Sequence, residues 1–82
     1  MMMANLHPRP QFVLDLLAAA PGPVGRWELV DRLSPGADDD GVLRTYISRL
    51  RDFLGDDAIE TARGVGYVLT EKGRAAYASL TG

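Results

Sequence analysis

The sequence predicts an α+β fold with a three-helix core, a β-hairpin and a C-terminal fourth helix. Apolar residues recur at helical spacing in four segments that Pro, Gly and Asp residues separate. Two short alternating segments flank a Gly-rich turn after the third helical segment. A chain of 82 residues is enough for one such domain and leaves no room for a second.

Composition restricts the class of protein. A hydrophobic content of 46% and a charged content of 24% are typical of a globular chain. The longest apolar run, Leu16 to Ala20, is too short to span a bilayer, and the N-terminus lacks the apolar core of a signal peptide. The absence of cysteine excludes disulfides and suits the cytoplasm.

The sequence offers almost nothing from which to build an active site. His7 is the only histidine, and no nucleophile–base pair, metal-ligand cluster or phosphate-binding loop is visible. We therefore predict a protein that is not an enzyme, with no catalytic residue, no metal and no cofactor.

The first two helices are predicted from periodicity and breaks. Residues 1–8 are predicted to be a flexible tail and 9–82 a single domain, with the first helix starting at about Arg9 because of the flanking prolines. The second helix is predicted from Arg26 to Leu33, after a one- or two-residue strand at Val24. Trp27 is assigned to the core in preference to a phosphate or partner contact. The residues expected to face inward are Phe12, Val13, Leu16, Leu17 and Ala20 in the first helix and Leu29, Val30 and Leu33 in the second.

The acidic loop Asp38–Asp40 precedes the third helix. Asp39 or Asp40 can cap that helix and complement its dipole, and this is the preferred interpretation. The alternative is repulsion of DNA or attraction of a basic protein partner.

The third helix, from about Gly41 to Leu54, is predicted to have one apolar and one polar face. Leu43, Ile47, Leu50 and Leu54 form a stripe that Val42, Tyr46 and Phe53 widen. The opposite face carries Arg44, Thr45, Ser48, Arg51 and Asp52, with Arg49 to one side. Arginine, serine and threonine on one helix face suit the DNA major groove, although an isolated helix of this kind is more often only a solvated surface.

A hairpin follows, with strands predicted at Ala58–Ala62 and Tyr67–Leu69 and a turn at Arg63–Gly66. An arginine at the tip of such a ribbon can reach a minor groove, whereas the plain alternative is an ordinary hairpin with an incidental charge. Helices and hairpin together predict a winged helix-turn-helix, with the hairpin as its wing.

The stretch ISRLRDFLGDDAIETARGVGYVL resembles the DNA-binding domain of OmpR/PhoB-type response regulators. In that family "I-x-R-L-R-x-x-L-G" precedes "I-x-T-x-R-G-x-G-Y", and the resemblance is close from Leu43 to Leu69. It implies a nucleoid-associated regulator of transcription that binds double-stranded DNA. The residues that it places on DNA are Arg26, Arg44, Thr45, Ser48, Arg49, Arg51, Thr61 and Arg63.

Three departures from the family limit this expectation. No receiver domain is present and no antiparallel sheet precedes the first helix, so we expect a stand-alone domain. Asp52 and Phe53 stand where the family usually has Arg or Lys, which weakens the expected DNA affinity. Phe53 can instead extend the core or contact a partner.

The predicted fourth helix, Glu71 to Leu80, is capped by Thr70. The run LTEKGRAAY resembles the helix after the wing in MarR- and PadR-type regulators. Its apolar residues are expected to complete the core, and a homodimer seam is the alternative; they are Ala76, Tyr77 and Leu80.

Two functions are weighed. A DNA-binding regulator is favoured by the arginines, and a protein-interaction module is favoured by the net charge of -2 and by the Asp52–Phe53 substitution. The first is preferred. In it the third helix enters the major groove, dimers bind half-sites about one helical turn apart, and replacing Arg49 or Arg51 by alanine weakens specific binding by more than ~1 kcal/mol.

Overall fold

Proline and glycine end the helices where the sequence predicts breaks. The computed structural model describes residues 8–36 and 38–81, and the predicted tail lies outside them except for Pro8. Gly55, with φ of 119°, ends the third helix in a conformation that L side chains rarely adopt. The elements in order are α1 (Pro8–Ala19), β1 (Val24–Gly25), α2 (Arg26–Leu33), α3 (Gly41–Leu54), β2 (Ile59–Ala62), β3 (Gly66–Leu69) and α4 (Glu71–Thr81).

The three strands form one antiparallel sheet in the order β1-β3-β2. The hairpin pairs Thr61 with Tyr67, and the predicted short strand at Val24 is confirmed because Val24 pairs with Tyr67 on the other side of β3. Gly66 lies so close to β1 that an added Cβ would overlap the carbonyl oxygen of Val24. A glycine here therefore lets β1 anchor the start of α2 to the wing.

The core lies between the three helices and the sheet. The third-helix stripe is confirmed at Leu43, Ile47 and Leu50, which are all buried. In α1 the prediction was partly wrong, since Phe12 is 40% exposed whereas Leu14, which was not predicted, is fully buried. The side chains that form this core are Val13, Leu14, Leu17, Leu29, Val30, Leu33, Leu43, Ile47, Leu50, Ala58, Ile59, Tyr67 and Leu69.

Trp27 does not fill the core, so that prediction was wrong. Its side chain is 52% exposed in the first turn of α2. The Arg26 guanidinium lies over the indole ring, 5.9 Å from the ring centroid. A contact of this kind is a cation–π interaction, which stabilises the pair weakly at an exposed site.

Helix α4 is fixed to the rest of the fold by polar contacts. The predicted cap is confirmed, because Thr70 Oγ1 accepts a hydrogen bond of 3.1 Å from the Gly73 amide. Arg74 donates to the carbonyl oxygens of Ala18 at 3.1 Å and Ala20 at 2.9 Å, which satisfies the C-terminal end of α1. The Tyr77 hydroxyl donates to Asp15 at 2.9 Å, and this bond raises the pKa of the Tyr77 hydroxyl.

Tyr77 also packs against the core cluster. The expectation that α4 completes the core is therefore confirmed for Tyr77. Leu80 is 49% exposed, so this end of the helix leaves apolar surface uncovered. The dimer seam stays a prediction.

Candidate nucleic-acid interface

The solvent-facing side of α3 forms a shallow open groove. Its lining begins at Gly41 in the first turn and ends at Asp52 in the last. The stripe of Leu43, Ile47 and Leu50 holds the opposite side of the helix in the core. Four of the eight predicted DNA-contacting residues therefore share one surface, which we call the α3 groove; they are Arg44, Thr45, Ser48 and Arg49.

Three of these side chains are available to a ligand. Arg44, Ser48 and Arg49 are exposed, and within residues 8–36 and 38–81 their side chains have no hydrogen-bond or ion-pair partner. The Thr45 hydroxyl donates to the Gly41 carbonyl oxygen at 3.1 Å, which leaves its own lone pairs free to accept. The groove thus presents donors at its centre.

Arg51 differs from the other predicted arginines. It lies on the side of α3 that faces β2, where its Nε and Nη2 donate to the Ile59 carbonyl oxygen at 3.0 and 2.9 Å. Its Nη2 also donates to Thr61 Oγ1 at 3.2 Å. These bonds fasten the helix to the wing, and a DNA contact by Arg51 or Thr61 stays a prediction.

The wing carries its arginine at the turn. Gly64 adopts φ of 76°, and the Val65 amide donates to the Ala62 carbonyl oxygen at 2.9 Å, which closes the turn. Arg63 is exposed beside it and has no bonded partner in the part of the chain that the structure describes. Its guanidinium is free to contact a phosphate or a base.

Arg26 lies between α3 and the wing. Its amide donates to the Val65 carbonyl oxygen at 2.9 Å, and its guanidinium is 3.6 Å from an Asp40 carboxylate oxygen. Its side chain remains 47% exposed. Arg26 is thus fixed near the wing turn, but Asp40 offsets part of its charge.

The acidic loop has structural roles. Asp39 Oδ1 accepts a hydrogen bond of 2.9 Å from the Gly41 amide, which confirms the capping interpretation for Asp39. Asp40 occupies the N-cap position without a side-chain cap bond and pairs with Arg26 instead. Neither observation tests whether a protein partner binds this loop.

The groove contains two residues that the sequence did not assign to the site. Gly41 brings bare backbone to one end, and Asp52 brings a carboxylate to the other. Helical spacing places Asp52 on the polar face of α3, so the sequence could have assigned it to the site. Nothing in the sequence singled out Gly41.

Neither a metal site nor a membrane span is found in the described residues. No three Asp, Glu or His side chains there are grouped to hold a metal ion. None of the helices described is both long and apolar enough to cross a membrane.

Comparison with known proteins identifies the family. Residues 3–69 match the family described as "Transcriptional regulatory protein, C terminal", the OmpR/PhoB-type DNA-binding domain. A stretch of 39 residues is 54% identical to the transcriptional regulatory protein CrdR of Helicobacter pylori, and it covers 48% of this chain and 18% of that protein. No solved structure matches the chain. Since the family match extends over most of its length, the chain belongs to the OmpR/PhoB-type DNA-binding domains of transcriptional regulatory proteins, which are not enzymes.

Proposed function

We propose that this chain regulates transcription by placing α3 in the major groove of a specific DNA site, with the wing on the adjacent backbone or minor groove. The observation that carries the proposal is the α3 groove, where Arg44, Ser48 and Arg49 are exposed without side-chain partners among the described residues. An α-helix fits the width of the major groove, and arginine pairs with the O6 and N7 acceptors of guanine.

The wing supports the same orientation. Because Arg51 bonds to Ile59 and Thr61, α3 and β2 are held together, and the wing turn with Arg63 follows directly from β2. Arg63 then reaches the neighbouring phosphates or minor groove while α3 occupies the major groove. Arg26 adds a backbone contact when a phosphate replaces Asp40 as its partner.

The test is a titration of the protein with random genomic duplexes at low and moderate salt, followed by sequencing of the bound fraction. We expect retardation at both salt concentrations and enrichment of one motif. Arg49→Ala is expected to lose the guanine preference at one position of the motif, and Arg32→Ala, on the exposed side of α2, is the matched control that keeps it. Absence of retardation at low salt would refute the proposal.

A homodimer is part of the proposal, with α4 as the contact. The exposed Leu80 and the half-buried Ala76 lie on this helix and support it. A dimer would bind two half-sites about 34–36 Å apart, which is one helical turn of DNA. Sedimentation of the wild type and of Leu80→Glu, with and without a two-site duplex, separates a dimer in solution from one that forms only on DNA.

Protein binding is a second candidate, favoured by the exposure of Phe53 (39%) and Val42 (49%) at the edges of the α3 stripe. In this candidate α3 contacts another regulator, RNA polymerase or a second copy of this chain. If Phe53→Ser abolishes a partner complex and leaves the DNA motif unchanged, the two functions use different sides of α3.

A further inference from the structure

One acidic side chain faces the α3 groove. Asp52 lies in the last turn of α3 and lines the groove together with Ser48 and Arg49, which precede it by one turn. Residues three and four positions apart are neighbours on a helix surface. Asp52 is exposed, and no donor in residues 8–36 or 38–81 bonds its carboxylate. The groove therefore presents a free acceptor next to a free arginine.

A carboxylate at this position interacts unfavourably with most of the DNA surface. Phosphates repel it, and the major-groove edges of guanine and thymine present only acceptor atoms. Donors occur at the N6 amine of adenine and the N4 amine of cytosine. Adenine places its N7 acceptor beside the amine, where it opposes a second carboxylate oxygen, so cytosine is the better partner.

We propose that Asp52 is a specificity-determining residue that accepts a hydrogen bond from the N4 amine of a cytosine in the major groove. This inference rests on the proposed function, because it requires α3 to bind in that groove. Its geometry is defined relative to Arg49. Three residues of helix rise are about 4.5 Å, close to the 3.4 Å between successive base pairs, so the cytosine lies in the base pair next to the guanine that Arg49 contacts.

The experiment is selection from a random duplex library with the wild type, Asp52→Ala, Asp52→Asn and Arg49→Ala. The wild type is expected to enrich a cytosine next to the position whose preference Arg49→Ala removes. Asp52→Ala is expected to lose about tenfold discrimination at the cytosine alone, and Asp52→Asn is expected to shift it to adenine, since asparagine pairs with adenine N6 and N7. Circular dichroism confirms that each variant is folded.

Asp31→Asn is the matched control, because it removes the same charge from an exposed position on α2 outside the groove. We expect it to keep the cytosine. If both Asp52 variants bind every sequence more tightly with an unchanged motif, Asp52 only repels phosphate and the inference is overturned. If the wild type enriches no motif at all, the proposed function itself fails and this inference fails with it.

Discussion

At the scale of single residues, two arginines two positions apart on α3 have different surroundings. Arg49 is exposed in the groove, whereas Arg51 is half-buried and donates three hydrogen bonds to β2. The Ile59 carbonyl oxygen receives two of them, so removing the guanidinium leaves that oxygen without these donors. Arg51 is thus bonded inside the protein, whereas Arg49 remains exposed in the α3 groove.

We expect Arg51→Ala to lower the free energy of unfolding by about 1–3 kcal/mol, because bonds from a charged donor are lost. Arg49→Ala is expected to change it by less than ~0.5 kcal/mol, since Arg49 has no described partner. Urea unfolding followed by circular dichroism measures both. Arg51→Lys keeps the charge without the planar fork and is expected to fall between them. Wild-type stability in Arg51→Ala would show that these bonds contribute nothing.

The sequence predicted the exposed groove but not the role of Arg51. Helical spacing gives the direction in which a side chain leaves the helix, and this was enough to predict that Arg44, Ser48 and Arg49 are exposed. It does not give the element on that side, and β2 lies within reach of Arg51 only because the chain reverses at Gly55. A long polar side chain can form its hydrogen bonds within the protein or with solvent and ligands, and only the tertiary structure decides between the two.

At the scale of elements, α4 is held at its first turn by close contact with the segment before β2. The single hydroxyl hydrogen of Thr70 is shared between the carbonyl oxygens of Asp57, 2.7 Å from Oγ1, and Ala58, 3.0 Å from it. Gly73 lies so near that an added Cβ would overlap the Ala58 carbonyl oxygen and come within 2.7 Å of Leu69 Cδ1. Helix and sheet edge therefore meet backbone to backbone.

Gly73→Ala is expected to destabilise the protein by about 1–3 kcal/mol, since overpacking costs this much. The expected sign is opposite to the gain of ~1 kcal/mol that Gly→Ala usually gives inside a helix. Gly22→Ala is the matched control, because nothing lies within 4 Å of its added Cβ. Thermal unfolding of both variants measures the change in stability. A stabilised Gly73→Ala would show that α4 can shift away from the Ala58 carbonyl oxygen.

Element boundaries followed the sequence most closely where one residue enforces a break. The predicted and observed bounds agree for α2, which lies between Gly25 and Ser34-Pro35, and for α3, which lies between Asp40 and Gly55. The inward face of α1 was less predictable because three apolar residues are consecutive from Phe12 to Leu14. Periodicity cannot choose among such neighbours, and the packing of α2 and α3 against α1, which buries Leu14, makes the choice.

At the scale of the whole molecule, the net charge of -2 conceals an uneven distribution. Asp40 pairs with Arg26 and Asp57 pairs with Lys72 at 2.8 Å, and the second pair lowers the pKa of the Asp57 carboxyl. Three arginines of the proposed interface have no described side-chain partner: Arg44, Arg49 and Arg63. With Asp52, which has no described partner either, counted against these three arginines, the proposed interface still carries a net charge of about +2, although the total is negative.

We expect the logarithm of the DNA-binding constant to fall with the logarithm of salt concentration with a slope of about -2, since Arg26 and Arg63 are the proposed phosphate contacts and each neutralised phosphate contributes about -0.9. Arg63→Ala is expected to reduce the slope by about one. Arg32→Ala, which removes an equal charge from α2, is expected to leave it unchanged. Fluorescence anisotropy in a potassium chloride series measures all three, and equal slopes would place Arg63 away from phosphate.

The Arg74 contact with the end of α1 also has a consequence for the time course of synthesis. The acceptor Ala18 is translated 56 residues before its donor. At 5–20 residues per second the ribosome needs about 3 to 11 s to cover that interval. Until Arg74 has been translated this cap has no donor, so the last carbonyl groups of α1 can form the bonds seen in the folded protein only once α4 is being made.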